Sequence, residues 1–518
     1  MACRRGAVTS YTKNRAAWNR YFAAALNEET RRKLIEEKRH PAEELTPFSP
    51  EELREIETAF AKRCKASAKN FTLPASGTNI DFSNVDFEKD AFLDQFLFSR
   101  AANFGGATFS SAASSFGGAT FSGAASFGGV TFSGLASFDG ATFSSVANFG
   151  GATFSSVADF GDATFSWGAS FEGVTFSGGA SFGGATFSGG ANFSGATFSG
   201  GAIFGGATFS RAASFGGVTF SRGASFEGVT FSGGASFGGA TFSDDAEFRG
   251  ATFSGDAKFR GATFSSVANF RDATFSGLAS FFGLTFSGDA NFRDATFSRA
   301  ANFGKATLGK KISFTSFGGV TSFVNAKMKG ETSFEGAMFD KEPPQFFDAK
   351  LHQGTVWRGV RWPPVPETKD KAGAFLDAYA CLKLEMDRLK KHEDELDFFA
   401  REMQSRRVWL GPWRGLPIAL YELLSNYGRS YVRPLVALFV VSAIGAGAFW
   451  YFDARDFEEA MGLSAANTFN VFGFRRDFNL SIYTPLTWLK VFAALQTILG
   501  TILLFLIGLG LCNKFRMK

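Results

Sequence analysis

With 518 residues the chain has room for several domains, and its 68 Phe and 60 Gly far exceed ordinary usage, so the composition must have a local cause. A formal net charge of +5 is small for this length and argues against a protein whose task is neutralising many nucleic-acid phosphates, so no nucleic-acid partner is expected. The four cysteines, Cys3, Cys64, Cys381 and Cys512, show neither CxxC spacing nor a dense framework, which fits a reducing compartment.

Residues 1–75 read as a helical N-terminal cap. Arg4 and Arg5 are followed by no apolar stretch and no small-residue cleavage site, so the N-terminus is expected to stay in the cytoplasm. Trp18, Tyr21, Phe22 and Leu26 lie three or four apart, and Ser49-Pro50-Glu51-Glu52 places Pro at a first helical position. The spacing predicts two or three helices that cover the open end of the next segment. Their basic run, Arg31, Arg32, Lys33, Lys38 and Arg39, reads as a solvated helix face.

Residues 76–350 are repetitive. Phe recurs every eleven residues from Phe121, Phe132, Phe143, Phe154, Phe165, Phe176, Phe187 and Phe198 to Phe297, with Leu308 next in register. A second series, Phe116, Phe127, Phe138 and Phe149 through Phe314, interleaves with it, so the steps alternate between five and six. An eleven-residue period also fits three turns of helix, but each unit carries two or three Gly, and each costs about 1 kcal/mol relative to Ala in a helix interior. The half-unit is Ala-x-Phe, as in Ala185-Thr186-Phe187 and Ala191-Asn192-Phe193; alternation by two puts Ala and Phe on one face and Thr, Asn or Ser on the other. Gly and Ser between these short strands supply corners. A chain that turns after every five or six residues coils.

This pattern, a small residue two before a central Phe, resembles the pentapeptide-repeat family over roughly residues 80 to 350. The resemblance implies a right-handed, four-sided β-solenoid flanked by helices, with each central Phe stacked on the one a coil below. The added residue in alternate half-units departs from the family and predicts a coil of about 22 residues with a bulged corner on two sides. At a strand spacing of about 4.8 Å, on the order of twelve coils would make a rod near 60 Å long. The outward Thr and Ser of Thr-Phe-Ser, such as Thr153 and Ser155, predict a flat ladder along one face. Such ladders resemble those of ice-binding solenoids, a reading that a cytoplasmic location disfavours. Some soluble members of the family mimic DNA and inhibit a topoisomerase; that needs a strongly acidic rod, which the slight acidic excess here does not supply. Charges are sparse from 101 to 243, and beyond that Arg249, Arg260, Arg271 and Arg293 each follow a Phe with Asp and Glu nearby. Mixed charge of this kind reads as a solvated surface.

Residues 351–430 are expected to be a helical link. Phe375, Tyr379, Leu382, Met386 and Leu389 have helical spacing, and Glu393 to Arg407 continues it as the second arm of a hairpin. The stretch "HEDELDFFAREMQSRR" resembles the link that precedes the first span in bacterial pentapeptide-repeat membrane proteins. "GPWRGLPIALYELL" suits an interfacial helix, with Trp413 and Tyr421 at headgroup depth.

Residues 431–518 are expected to form a two-span hairpin in the inner membrane. The apolar runs Pro434 to Tyr451 and Val491 to Cys512 are each long enough to cross about 30 Å of hydrocarbon. Arg414, Arg429 and Arg433 precede the first and Lys514, Arg516 and Lys518 follow the second, which places both termini in the cytoplasm. Two spans joined by such a loop resemble the pore module of two-span cation channels. In "TFNVFGF", however, only Thr468 and Gly473, flanking Asn470, match a potassium filter, and the two-Gly spacing is absent. A degenerate pore loop that anchors or oligomerises is preferred to a conducting one.

His40, His352 and His392 lie in three separate segments, and no HExxH, nucleophile elbow or phosphate loop is present, so no catalytic, metal or cofactor residues are expected. The reading is a membrane-anchored scaffold that presents a rigid cytoplasmic solenoid, with the lipid bilayer and an unknown protein as partners and self-association through the hairpin. The alternative is an oligomeric ion-channel-like pore with the solenoid as a cytoplasmic regulatory arm.

Overall fold

Eleven residues make two short strands and two unlike corners. After Phe182, a β-turn through Gly183 and Gly184 is closed by Ala185 N–H donating to Phe182 O at 3.1 Å, and Gly184 takes φ +67°, where a Cβ is penalised. Asp162, Asp272 and Asp294 hold the equivalent left-handed position where Gly is absent. After Phe187 the chain has one residue more and bends through Ser188 and Gly189. The sixth residue is thus absorbed in an open bend at alternate corners, and the strands on either side keep register.

The structure is a computed structural model and describes residues 2–37, 39–63, 75–309, 312–314, 316–366, 368–453, 456–469 and 487–516. Four corners close a coil, and the strands form four parallel sheets of twelve strands each. We call the sheets first to fourth face by their opening strands, Ile80–Asp81, Asp86–Phe87, Ala91–Phe92 and Leu97–Phe98. Through most of the solenoid, residues 22 apart pair, as Thr164 with Thr186 and Phe165 with Phe187. Thr186 N–H donates to Ala163 O and Ser188 N–H to Phe165 O, both at 2.8 Å, so each coil templates the next.

Inside, Phe121, Phe127, Phe132, Phe138, Phe143, Phe154, Phe165, Phe176, Phe187 and Phe198 are all buried. Rings on one face stack in parallel: Phe143 and Phe165 have centroids 4.8 Å apart at 0°. Rings of the first and third faces meet edge-on, as Phe149 with Phe160 at 5.2 Å and 88°. Each ring thus joins parallel neighbours along its column to perpendicular ones across the axis, a geometry favoured by the ring quadrupole. Ala at the preceding inward position is buried too, small enough to leave the ring its width.

The solenoid begins under a helical layer: α1 (Ala2–Ala23), α2 (Glu28–Glu36), a 3-10 turn (Ala42–Leu45) and α3 (Pro50–Arg63). Asn19 covers open strand edges there, accepting from Leu97 N–H at 2.8 Å and donating to Gln95 O at 2.9 Å, while Trp18 Nε1 donates to Leu97 O at 2.8 Å. An exposed sheet edge is the liability this layer removes. At the other end, bridges pair Ser333 with Val356 and Met338 with Arg361. Trp357 stacks on Phe334 at 4.5 Å and Trp362 on Phe339 at 5.5 Å. The coiled unit therefore runs to Trp362, past the boundary at 350 read from the sequence, because Trp takes over the inward places of Phe.

Pro363–Lys518 is a second unit. It comprises α4 (Lys369–Arg388), α5 (His392–Leu410), α6 (Pro412–Ser425), α7 (Val432–Phe452), α8 (Phe457–Thr468) and α9 (Thr487–Arg516). Helices α4 and α5 pair as a hairpin in which Lys383 Nζ donates to the buried Glu402 at 2.7 Å. On α6, Trp413 is 87% exposed, and Leu416, Leu420 and Leu423 also face outward.

Candidate interaction surfaces

Which residues face outward follows from the half-coil. A residue type that recurs every eleven positions lands on alternate faces, so Thr-Phe-Ser forms two ladders on opposite faces rather than the single one expected. The second face carries ten consecutive threonines in register from Thr108 to Thr307. On the fourth face nine run from Thr120 to Thr296. The first and third faces carry the variable and charged residues instead, among them Lys258, Glu227 and Arg249.

The fourth face is partly occupied. His40 Nε2 lies 2.9 Å from Thr120 Oγ1, and Arg39 hydrogen-bonds Thr142 Oγ1. Burial holds the His40 ring far below the usual imidazole range, at about 4, against the opposing pull of Glu44 and with the help of Arg15 and Arg39. His40 is therefore a neutral structural contact at neutral pH. Glu44 is itself engaged by Arg15 Nε at 3.1 Å and by Asn19 Nδ2 at 2.7 Å.

Two hollows mark the faces. One of about 640 Å³ on the first face has a floor of Asn192, Ser214 and Ser236, with Asp256 and Lys258 at one end. The other, about 500 Å³, lies at the end of the second face and is lined by Lys305, Lys327 and Lys350 with Asp348. On the third face the Asp139 carboxyl is raised above its ordinary value, first by partial burial and then by Asp159 and Asp162 beside it.

In the second unit, Thr468 ends α8 and is buried; Asn470 and Gly473, the other residues assigned to a degenerate pore loop, lie outside the described residues. Thr468 belongs to a polar knot between three helices. Gln496 Nε2 of α9 donates to Ser464 Oγ at 2.6 Å and Thr468 Oγ1 at 3.0 Å, and Ser464 Oγ donates to Ser442 O of α7 at 2.6 Å. Gly500 lets α9 approach: a Cβ there would lie 2.4 Å from Thr468 O. Sequence reasoning missed this knot; its signal was Gln496, a lone amide inside an apolar run.

Asp387, His392 and Glu395 bring ligand atoms within 4.8 Å of one another at the α4–α5 turn. Arg516 lies 3.7 Å from Asp387 and 3.8 Å from Glu395, and His392 Nδ1 is 3.1 Å from Glu395, so both carboxylates already have an arginine partner and Glu395 an imidazole contact besides. His40, His352 and His392 are not brought together: the first sits in the cap, the second near the end of the coils and the third at this turn.

A family model described as pentapeptide repeats (9 copies) matches residues 93–142, 127–175, 138–186, 160–208, 171–219, 193–241, 204–252 and 237–284. No curated protein and no solved structure matches the chain.

Proposed function

We propose, from a chain whose residues 93–284 are pentapeptide repeats wound into a β-solenoid, a non-catalytic scaffold anchored in a bacterial inner membrane and offering its faces to a cytoplasmic protein partner. The observation that carries the anchor is the outward surface of α7 and α9, whose mean hydropathies reach 2.0 and 2.2 over their apolar windows. Phe439, Ile444, Leu495 and Phe505 are 59–70% exposed on them, a surface that water would not tolerate and hydrocarbon would. Gln496 turns inward to the knot, and the Thr497 and Thr501 hydroxyls are returned to their own helix backbone at Ala493 O and Thr497 O, as a low-dielectric surround demands. Arg429 before α7, Arg433 in its first turn, and Lys514 and Arg516 at the end of α9, with Asp453, Glu458 and Glu459 between, favour both ends inside. A right-handed coil follows from the general preference of parallel crossover connections.

The test is labelling with a membrane-impermeant maleimide, using Thr153→Cys and Asp456→Cys in a chain whose own cysteines are replaced. Asp456→Cys should react in intact cells and Thr153→Cys only after permeabilisation. The opposite pattern would remove the reading.

A second reading, an oligomeric pore regulated by the solenoid, is favoured by α8 alone. This twelve-residue helix packs against both apolar helices and ends at the buried Thr468, as a re-entrant segment would. Ion flux into liposomes that appears with the full chain and vanishes on changing Gly473 would put this reading first.

A further inference from the structure

The strands of the second face carry no charge across the ten coils from Thr108 to Thr307, as those of the fourth carry none across twelve, but on the second face the two end strands are charged and of opposite sign. Before Thr108 the ladder continues as Asp86, with Glu88 beyond the adjoining Phe; after Thr307 it continues as Lys327, with Lys329 beyond Met328. All four are exposed. At the basic end Lys305 and Lys350 join Lys327 around the 500 Å³ hollow. The fourth face shows what such a ladder accepts, since Thr120 and Thr142 hydrogen-bond side chains of the chain's own cap. The ten threonines of the second face are each half-buried by their ladder neighbours.

We infer that the second face docks against the second face of another copy of this chain, the two solenoids running antiparallel. Twelve strands at about 4.8 Å by about five residues of 3.3 Å give a face of about 50 Å by 15 Å, roughly 800 Å² per copy, the size of a standard stable interface. A two-fold axis lying in the interface parallel to the strands sets the first strand of one copy against the twelfth of the other. Asp86 then faces Lys327 of the second copy at both ends, and Thr108 faces Thr307. Near the middle Thr197 faces Thr219. The axis keeps like corners opposed, so Glu172, which precedes the Thr175 strand, comes within one strand of Arg260, which precedes the Thr263 strand. Parallel docking would instead set Asp86 near Asp86 and Lys327 near Lys327. The pairing is isologous, uses flat hydroxyl-and-methyl strips at its centre and places its charges at the rim, where they fix direction more than strength. It is independent of the membrane hairpin, whose own association would leave the direction of the solenoids unspecified.

The test uses the full chain in mild detergent with its four cysteines replaced by serine and a short bis-maleimide. Thr197→Cys should give a covalent dimer. Thr108→Cys alone should give none, because its copies sit about 43 Å apart by strand spacing, whereas a mixture of Thr108→Cys and Thr307→Cys chains should cross-link. Adding Lys327→Glu and Lys329→Glu should lower the Thr197→Cys yield about tenfold, and adding Asp86→Lys and Glu88→Lys to the same chain should restore it. Monomers throughout, a self-linked Thr108→Cys dimer, or a yield indifferent to charge reversal would each overturn the inference, the last by assigning the dimer to the hairpin.

Discussion

Replacing Phe160 by Ala tests the stacking core inside one of its ring columns. The ring is fully buried, stacked on Phe138 and Phe182 with centroids 4.9 Å away on both sides, and set edge-on to Phe149 at 5.2 Å and Phe171 at 5.3 Å. The substitution leaves a void enclosed by these four rings and by Phe154, at 5.8 Å, all locked by register, so little collapse is available and a loss of about 4 kcal/mol is expected. Leu308 fills an inward place of the other ring series with no exposure, showing that the axis accepts Leu, so Phe160→Leu should cost much less, about 1 kcal/mol. Phe92, half exposed at the surface, supplies a control whose truncation should change stability by less than about 0.5 kcal/mol. Because each coil contacts only its neighbours, hydrogen exchange should report the loss in the strands around Ala158–Asp159 and fade within a few coils, while denaturant unfolding reports its size. A loss below about 1 kcal/mol for Phe160→Ala, or one equal to that of Phe92→Ala, would refute the assignment of stability to the ring columns.

Gly195, at φ +67° with no atom within 4 Å of an added Cβ, isolates backbone strain from packing. Thermal unfolding should show Gly195→Asn close to neutral and Gly195→Val destabilised by about 1–2 kcal/mol. The N-terminal cap should loosen in acid. His40 titrates at about 4 in the fold against about 6.5 unfolded, so its contribution is complete above pH 6.5, falls as the unfolded chain takes up a proton the fold refuses, and is gone below 4. That loss amounts to about 3 kcal/mol and should appear as reduced hydrogen-exchange protection in α1, with Trp18 fluorescence as a second probe. In the second unit, Gln496→Leu removes the donor that ties α9 to Ser464 and Thr468 and should lower stability in detergent by about 1–2 kcal/mol, read by thermal unfolding.

The solenoid was legible because its cause is local and repeated: Ala-x-Phe sets which side faces in, and one residue in eleven turns the tight corner. The steps of five and six gave the coil length directly. A repeat half a coil long sends Thr to two faces instead of one, a consequence left undrawn. The steps also did not mark the end of the coils, since Trp357 and Trp362 stack as Phe does without matching the repeat. The cap's contacts were hidden for another reason. His40 and Thr120 are eighty residues apart and meet only because the helices fold back over the first coils. The polar knot of the second unit was legible only at Gln496, a lone amide in an apolar run; Ser442 and Ser464 are ordinary where they stand and join it only when three helices converge. Of the pore-loop residues, Thr468 now has a place in that knot, while Asn470 and Gly473 lie outside the described residues.

Alkaline carbonate extraction of membranes that contain the full chain tests the proposed anchor most directly. The chain should remain in the pellet, with the solenoid open to protease from the cytoplasmic side only. Release of the chain into the carbonate supernatant would contradict it and return α7 and α9 to the interior of a soluble assembly.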